Sequence, residues 1–165
     1  MFQLSEQRYS SKEAHYADLL NQVQALLAGE RELIANAANF SALVFNSLPQ
    51  LNWAGFYLFD GHELVVGPFQ GKLACVRIAL GSGVCGTAAQ TRMTQVVADV
   101  NAFPGHIACD AASQSEIVVP LAYADGRLLG VWDVDSFIAN RFDDDDRRGM
   151  QALCALFMSN LQLTT

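Results

Sequence analysis

Apolar residues recur at intervals of three and four in two stretches near the start of the chain, and this spacing predicts two amphipathic helices. The first covers residues 11–28 and the second covers 30–48, with Gly29 between them. The apolar face of the first consists of Tyr16, Leu19, Leu20, Val23, Leu26 and Leu27. Pro49 has no backbone N–H to donate, so we expect the second helix to end before it.

Shorter apolar and aromatic runs follow, and they are typical of strands. Residues 51–60 and 63–66 flank the Gly61-His62 pair, which predicts a β-hairpin. Further along we predict a strand over 75–80, a short helix over 84–92 that opens after Gly81-Ser82-Gly83, and a brief strand over 95–98.

Asp125-Gly126 is the strongest two-residue hairpin signal in the chain, and the predicted strands 117–124 and 127–137 flank it. Such a turn places Ala124 opposite Arg127. A last helix is predicted over 143–161, because four aspartates complement its dipole and an apolar stripe follows. The stripe consists of Met150, Leu153, Cys154, Phe157, Met158 and Leu161. Strands between terminal helices predict an α+β domain with a largely antiparallel sheet.

Composition adds constraints on size and partners. With 165 residues and 52% hydrophobic content, the chain predicts a single domain over 1–165 whose core needs neither disulfides nor metals. A net charge of -7 argues against nucleic acid as a partner. No signal-peptide pattern and no membrane-length apolar run is present, so we expect a cytoplasmic protein without a membrane partner.

Four cysteines are the candidates for covalent chemistry, and in a reducing cytoplasm a disulfide among them would be transient and catalytic. The absence of a C-x-x-C pair argues against a structural zinc site. Cys154 fits core packing, whereas Cys75, Cys85 and Cys109 lie outside the amphipathic helices, so burial as small hydrophobic residues explains these three poorly. Cys85 begins a helix, where unpaired N–H groups favour a thiolate. His106 is the local cation candidate near Cys109, although its pattern favours a loop residue without a role.

Three carboxylates are predicted to meet at one end of the second hairpin. Counting back from the turn puts Glu116 opposite Asp135, and Asp133 shares a face with Asp135. Because opposed like charges are destabilising, a bound cation, a protonated carboxyl or strong solvation is required. A ligand ammonium or a general acid fits this arrangement, and a solvated sheet edge is the alternative. The alternation around Trp53 favours core packing, with a pocket wall as the other interpretation.

Four segments together resemble free methionine-(R)-sulfoxide reductases, a family of stand-alone GAF domains. They are LNWAGFY at 51–57, GPFQGK at 67–72, GVCGTA at 83–88 and GHIACDAAS at 105–113. The resemblance covers residues 16–161 and leaves the first fifteen, a weakly assigned extension, unexplained. It implies a six-stranded antiparallel sheet with packed helices, a homodimer, and free methionine sulfoxide of R configuration as the substrate. A GAF module that senses a small molecule without catalysis is the alternative.

The resemblance also implies roles for individual residues. Cys109 matches the catalytic cysteine, and Cys75 and Cys85 match the two that can form a disulfide with it. The substrate site is implied to comprise Glu116, Asp133, Asp135, Trp53 and Tyr57, with Glu116 and Asp135 also serving as the catalytic acid. Thioredoxin is the implied reductant, and no bound cofactor or metal is required.

Two positions depart from the family pattern. Ser82 stands where a basic residue is expected, which removes a charge that could activate Cys85, so we favour Cys75 as the resolving thiol. Trp132 is larger than the aliphatic residue expected there. It faces away from Asp133 and is expected to affect packing more than chemistry.

Overall fold

A six-stranded sheet with helices on both faces forms the body of the protein. The computed structural model describes residues 9–105 and 111–162. Its helices are α1 (Lys12–Leu27), α2 (Leu33–Ser47), α3 (Gly83–Thr91) and α4 (Asp144–Gln162), with a 3-10 turn at Val100–Ala102. Its strands are β1 (Leu51–Phe59), β2 (Leu64–Gly71), β3 (Arg77–Ile78), β4 (Gln95–Val97), β5 (Ser115–Ala122) and β6 (Leu128–Ser136).

The strands are ordered β3-β2-β1-β6-β5-β4, and each neighbouring pair is antiparallel. The predicted α+β fold with a six-stranded antiparallel sheet is therefore confirmed. None of the helices in the described ranges is both long and apolar enough to cross a lipid bilayer.

The two faces of the sheet carry separate apolar clusters. Helices α1, α2 and α4 cover one face, where Phe40, Phe56, Trp132 and Phe157 pack together. Trp132 is fully buried there and donates from Nε1 to the Met150 sulfur at 3.5 Å, so its predicted packing role, away from Asp133, is confirmed. The other face is covered by α3 and carries the second cluster, which includes residues of β1, β6 and α3.

Strands β2 and β3 differ in length from the prediction. β2 continues past residue 66 to Gly71, and the third strand contains only Arg77–Ile78 of the predicted 75–80. A bulge near Gly67 and Pro68 lets β2 stay paired with β1. β3 pairs only with Leu64 and Val65, and past the Val66 N–H, which donates to the Val76 carbonyl at 3.0 Å, no strand among the described residues pairs with this edge of β2. A proline that lacks an N–H is tolerated at such an edge.

The tip of the β5–β6 hairpin does not have the predicted two-residue turn. The Tyr123 N–H donates to the Arg127 carbonyl at 2.9 Å, so three residues rather than two form the loop. Gly126 adopts a φ of 85°, and the Asp125 side chain accepts from the Arg127 N–H at 3.0 Å. A left-handed glycine at the end of the loop is typical of three-residue hairpins.

A bulge two residues further along restores the predicted register. Ala122 pairs with Leu128, but Leu121 pairs with Gly130, so β6 contains one extra residue at this point. From there to the far end of the hairpin the pairing is the predicted one, and Glu116 lies opposite Asp135. The three-residue loop and the bulge each shift the strand register by one residue, and the two shifts cancel before the chain reaches the carboxylates.

A buried carboxylate, Asp146, joins α1 to the start of α4. Its side chain is 1% exposed and accepts hydrogen bonds from Lys12 Nζ, from Tyr16 Oη at 2.9 Å and from Arg141 at 3.1 Å. Lys12 belongs to the segment that the sequence resemblance leaves unexplained. The ion pair therefore anchors that segment to the last helix.

We expect Asp146→Ala to lower the free energy of unfolding by about 3–5 kcal/mol, because it leaves the buried Arg141 without its counter-charge and removes one of the two carboxylates that pair with Lys12. Asp144→Ala is the matched control, since Asp144 is 75% exposed and pairs only with Arg147 on the same helix. That control should cost less than about 1 kcal/mol. Urea denaturation of both variants measures the difference. Equal losses would show that Asp146 contributes no more than a surface aspartate.

Candidate functional site

A pocket opens on the sheet face that α3 covers. It encloses about 520 Å³ with its mouth included. Its walls come from β1, α3, β5, β6 and the segments 73–74 and 82–83. The lining side chains that carry polar, ionisable or aromatic groups are Trp53, Tyr57, Cys85, Ser113, Glu116, Asp133 and Asp135.

Strand register brings the acidic side chains of this pocket together. On three adjacent strands, Trp53 pairs with Asp135, and Asp135 pairs with Glu116. Asp133 lies one row further along the same face, between Gly55 and Val118. The three carboxylates and the indole therefore line one side of one pocket. The predicted meeting of Glu116, Asp133 and Asp135 on one sheet face is confirmed.

Burial governs the charge state of this cluster. Glu116 is 6% exposed and Asp133 is 5% exposed, so the alternative of a solvated sheet edge is wrong for both. Burial, together with the charges of Asp133 and Asp135, raises the pKa of Glu116 well above its ordinary value. Burial likewise raises the pKa of Asp133 to about 7. None of the described side chains lining the pocket is basic.

Two buried polar atoms of the pocket wall have no hydrogen-bond partner among the described residues. They are Oδ1 of Asp133 and Nε1 of Trp53. An acceptor and a donor left unsatisfied in this way each destabilise the fold by roughly 1–3 kcal/mol. Both belong to residues that line the pocket. They therefore supply a ready acceptor and a ready donor for a polar ligand.

An aromatic wall stands beside the carboxylates. The Trp53 ring stacks on Phe69 at 5.1 Å and on Tyr57 at 5.8 Å between ring centroids. Glycines make room for the indole, because a Cβ at Gly55 or at Gly71 would lie 2.7 Å from an atom of its ring. The wall gives the pocket an apolar surface next to its acidic one. Trp53 is also 3% exposed and belongs to the second apolar cluster, so it is both a core residue and a pocket wall.

Tyr57 links this wall to Cys75. Its hydroxyl donates to the Cys75 carbonyl oxygen at 3.1 Å. Cys75 is itself half-buried and disulfide-bonded, whereas Cys85 and Cys154 have free thiols. A residue of the pocket thus holds the backbone of a disulfide-bonded cysteine.

Cys85 differs from its sequence-based interpretation in two ways. It is 4% exposed, so the idea that burial explains it poorly is wrong. Its sulfur lies 3.8 Å from Oε1 of Glu116, to which the thiol donates. Burial, followed by the charges of Asp133 and Glu116, raises the pKa of Cys85 well above the ordinary value. The start of α3 does not offset these effects, so the predicted thiolate at this helix start is wrong.

The remaining candidates divide into two groups. Cys109 and His106 lie outside the described residues. Cys154 packs in the apolar cluster under α4, where burial raises the pKa of its thiol, as expected for a core residue. Ser82 lies at the rim of the pocket, directly before α3.

Comparisons with known proteins show the family of this chain. The model of the GAF domain family matches residues 18–161. The free methionine-R-sulfoxide reductase of Escherichia coli is 52% identical over 145 residues, which cover 88% of this chain and 87% of that protein.

Two solved structures add the fold. The free methionine-R-sulfoxide reductase of Neisseria meningitidis, solved in complex with its substrate, superposes with a TM-score of 0.92 at 43% identity, covering 98% of this chain and 96% of that one. A Burkholderia vietnamiensis protein described as a GAF sensor has a TM-score of 0.90 at 69% identity, covering 93% and 99%. The chain therefore belongs to the GAF domain family and, within it, to the free methionine-R-sulfoxide reductases.

Proposed function

We propose that this protein reduces free L-methionine (R)-sulfoxide to L-methionine by cysteine sulfenic acid and disulfide chemistry. One observation carries the proposal: Trp53, Glu116, Asp133 and Asp135 line a single pocket whose wall also holds the disulfide-bonded Cys75 through Tyr57. An apolar wall beside an acidic one suits an amino acid whose sulfur-containing side chain lies against the apolar wall and whose ammonium lies against the acidic wall.

In the first step the thiolate of Cys109 attacks the sulfoxide sulfur. A carboxylic acid protonates the sulfoxide oxygen, and Glu116, assisted by Asp135, supplies that proton. The raised pKa of Glu116 supports this role, because a carboxyl group that binds its proton more tightly than usual is better suited to act as a general acid. The oxygen then passes to the Cys109 sulfur as the substrate S–O bond and the transient bond between the two sulfurs break, so that methionine leaves with its sulfur reduced and Cys109 becomes a sulfenic acid.

In the second step the Cys75 thiol condenses with that sulfenic acid, which forms a disulfide and releases water. The preference for Cys75 over Cys85 is supported by their states, since Cys75 is disulfide-bonded and Cys85 is a buried free thiol. The raised pKa of Cys85 also makes it a poor nucleophile. A dithiol protein such as thioredoxin then reduces the disulfide by exchange and is itself oxidised.

Substrate selection follows from the charges of the pocket. Asp133 and Asp135 would hold the substrate ammonium, and the unpaired Asp133 oxygen supports this assignment. Backbone N–H groups between Cys109 and Glu116 would bind the substrate carboxylate. A methionine sulfoxide inside a peptide has no ammonium, so the free amino acid is preferred. The cycle needs no bound cofactor, and a homodimer in the cytoplasm remains a prediction from the family.

Thioredoxin-coupled NADPH oxidation tests this function. We expect turnover with free methionine (R)-sulfoxide, and at least roughly 100-fold lower kcat/KM with the N-acetylated sulfoxide, since acetylation removes the ammonium that the carboxylates hold. The S epimer serves as the stereochemical control. Equal rates with the free and N-acetylated substrates would contradict the binding role of Asp133 and Asp135.

The sensor function is a second candidate, because a protein 69% identical to this chain is described as a GAF sensor. A sensor would bind a small molecule in the same pocket without consuming it. Calorimetric binding of methionine sulfoxide in the absence of any NADPH consumption would favour that alternative over the reductase.

A further inference from the structure

Three potential metal ligands converge in the pocket. The Cys85 sulfur and one carboxylate oxygen each from Glu116 and Asp133 all lie within 4.8 Å of one another, and all three residues are buried. They come from three different elements, α3, β5 and β6. Their mutual placement is therefore fixed by the packing of α3 on the sheet.

The spacing of these atoms suits a small thiophilic cation. Zinc lies about 2.3 Å from sulfur and about 2.0–2.2 Å from oxygen, so tetrahedral ligand atoms are roughly 3.3–3.6 Å apart. The Cys85 sulfur is 3.8 Å from Glu116 Oε1, and the remaining separations are at most 4.8 Å. Small side-chain rotations would close the set around one ion. The open side of the pocket leaves a fourth position for water.

A second observation points to a ligand at this place. Asp133 Oδ1 is buried without a hydrogen-bond partner among the described residues, although Asp133 is 5% exposed. None of the described side chains in the pocket wall is basic, so none of them brings a positive charge to the cluster. A ligand that brings positive charge would satisfy both the oxygen and the cluster.

We infer that the reduced protein binds one divalent zinc or cadmium ion through Cys85, Glu116 and Asp133, and that this ion excludes the sulfoxide substrate. The thiolate ligand selects a soft cation, whereas magnesium and calcium, which prefer oxygen ligands alone, are excluded. Because Glu116 and Asp133 cannot hold the metal and the substrate together, the ion competes with the substrate. This competition, but not the metal site, rests on the proposed function.

The test uses cadmium, whose bond to a thiolate absorbs in the ultraviolet. The background is a full-length variant with Cys75→Ser and Cys109→Ser, so that Cys85 and Cys154 are the remaining thiols. We expect the absorbance to saturate at one equivalent of cadmium. Adding Cys85→Ser should abolish it, and adding the matched Cys154→Ser should leave it unchanged.

The carboxylate ligands are tested in the same background. Glu116→Gln and Asp133→Asn should each weaken cadmium binding at least tenfold. Removing a group that only hydrogen-bonds to a metal ligand already lowers metal affinity about 10–100-fold, and these two residues bind the metal directly. Circular dichroism verifies that each variant is folded. Absorbance that survives Cys85→Ser, or affinity unchanged by both carboxylate variants, would overturn the assignment of the site.

A separate arm tests the competition. It uses the enzyme without substitutions. We expect zinc to raise the apparent KM for free methionine sulfoxide and to leave kcat unchanged. Calcium at the same concentration should have no effect. If cadmium binds but zinc does not inhibit sulfoxide reduction, the metal site stands and its competition with the substrate is rejected. Absence of the charge-transfer absorbance in the Cys75→Ser, Cys109→Ser background, together with sulfoxide reduction by the enzyme with all four cysteines, would reject the metal site and retain the reductase.

Discussion

Cys109→Ser is expected to lower kcat for methionine sulfoxide reduction by at least roughly 10³-fold, because a serine hydroxyl is neither ionised at neutral pH nor able to form a sulfenic acid. Neither Cys85 nor Cys154 can take its place. Cys85 is held as a neutral thiol by burial and by the carboxylates beside it, and Cys154 is sealed in the core under α4. Thioredoxin-coupled NADPH oxidation provides the measurement.

Cys154→Ser is the matched control for this variant, since it makes the same atomic exchange on a thiol remote from the pocket. We expect it to keep near-normal kcat at temperatures well below its Tm. Mass spectrometry after one equivalent of substrate adds a second readout, because the normal enzyme should lose two hydrogens to a disulfide and Cys109→Ser should not. Undiminished methionine formation by Cys109→Ser would defeat the assignment.

Asp133→Asn is expected to stabilise the protein while it weakens substrate binding. The carboxyl group ionises above pH 4 in the unfolded chain, but burial raises its pKa to about 7 in the folded protein. Between these values the folded protein binds more protons than the unfolded chain, so its free energy of unfolding falls as the pH rises. The isosteric amide removes this loss, which is on the order of 2–4 kcal/mol at pH 8.

The same substitution should raise the KM for free methionine sulfoxide by roughly 30-fold or more, because the ammonium loses a buried ionic partner. Thermal unfolding at pH 8 and at pH 4 separates the two effects. The gain in Tm should be present at pH 8 and absent at pH 4, where the normal carboxyl is already protonated.

Asp125→Asn on the same hairpin is the control for this experiment. Its side chain is exposed and pairs with Arg127, and that contact lowers the pKa of Asp125. Neutralising it should give no gain at pH 8. A stabilisation by Asp133→Asn that is equal at both pH values, or an unchanged KM, would show that Asp133 is not the buried acid that this site requires.

The carboxylate site was predictable from sequence because strand pairing is a periodic property. Glu116 and Asp135 are far apart in the chain, but a hairpin register and a two-residue alternation place them together. The tip of that hairpin was not predictable in the same way. Two-residue and three-residue loops at Asp125-Gly126 differ by one bulge, and the bulge at Leu129 depends on contacts with β1.

The protonation state of the Cys85 thiol could not be predicted from the sequence. Its sequence position at a helix start predicts a thiolate, and the dipole effect that supports this is local. The opposing effect, burial against Glu116 and Asp133, requires knowing that α3 packs on this face of the sheet. A desolvated thiol beside two carboxylates outweighs the partial charge of a helix end.

The short length of β3 likewise depends on contacts that the sequence pattern does not show. Residues 75–80 have strand propensity, but the ladder is limited to Leu64 and Val65, and the Ala79 carbonyl already accepts a turn hydrogen bond from the Ser82 N–H. The interaction of the Tyr57 hydroxyl with Cys75 was likewise missed, since the partner atom is a backbone carbonyl that no sequence pattern marks.

The bulge in β6 also separates the hairpin tip mechanically from the acids at its base. Gly130 fixes this point, because a Cβ there would lie 2.0 Å from the Tyr57 carbonyl oxygen and its φ is 157°. Changes in loop length beyond the bulge are thus absorbed before they reach the strand rows that hold Glu116 and Asp135. The exposed 124–126 loop is therefore a suitable place to insert an epitope or a fluorescent reporter without disturbing turnover.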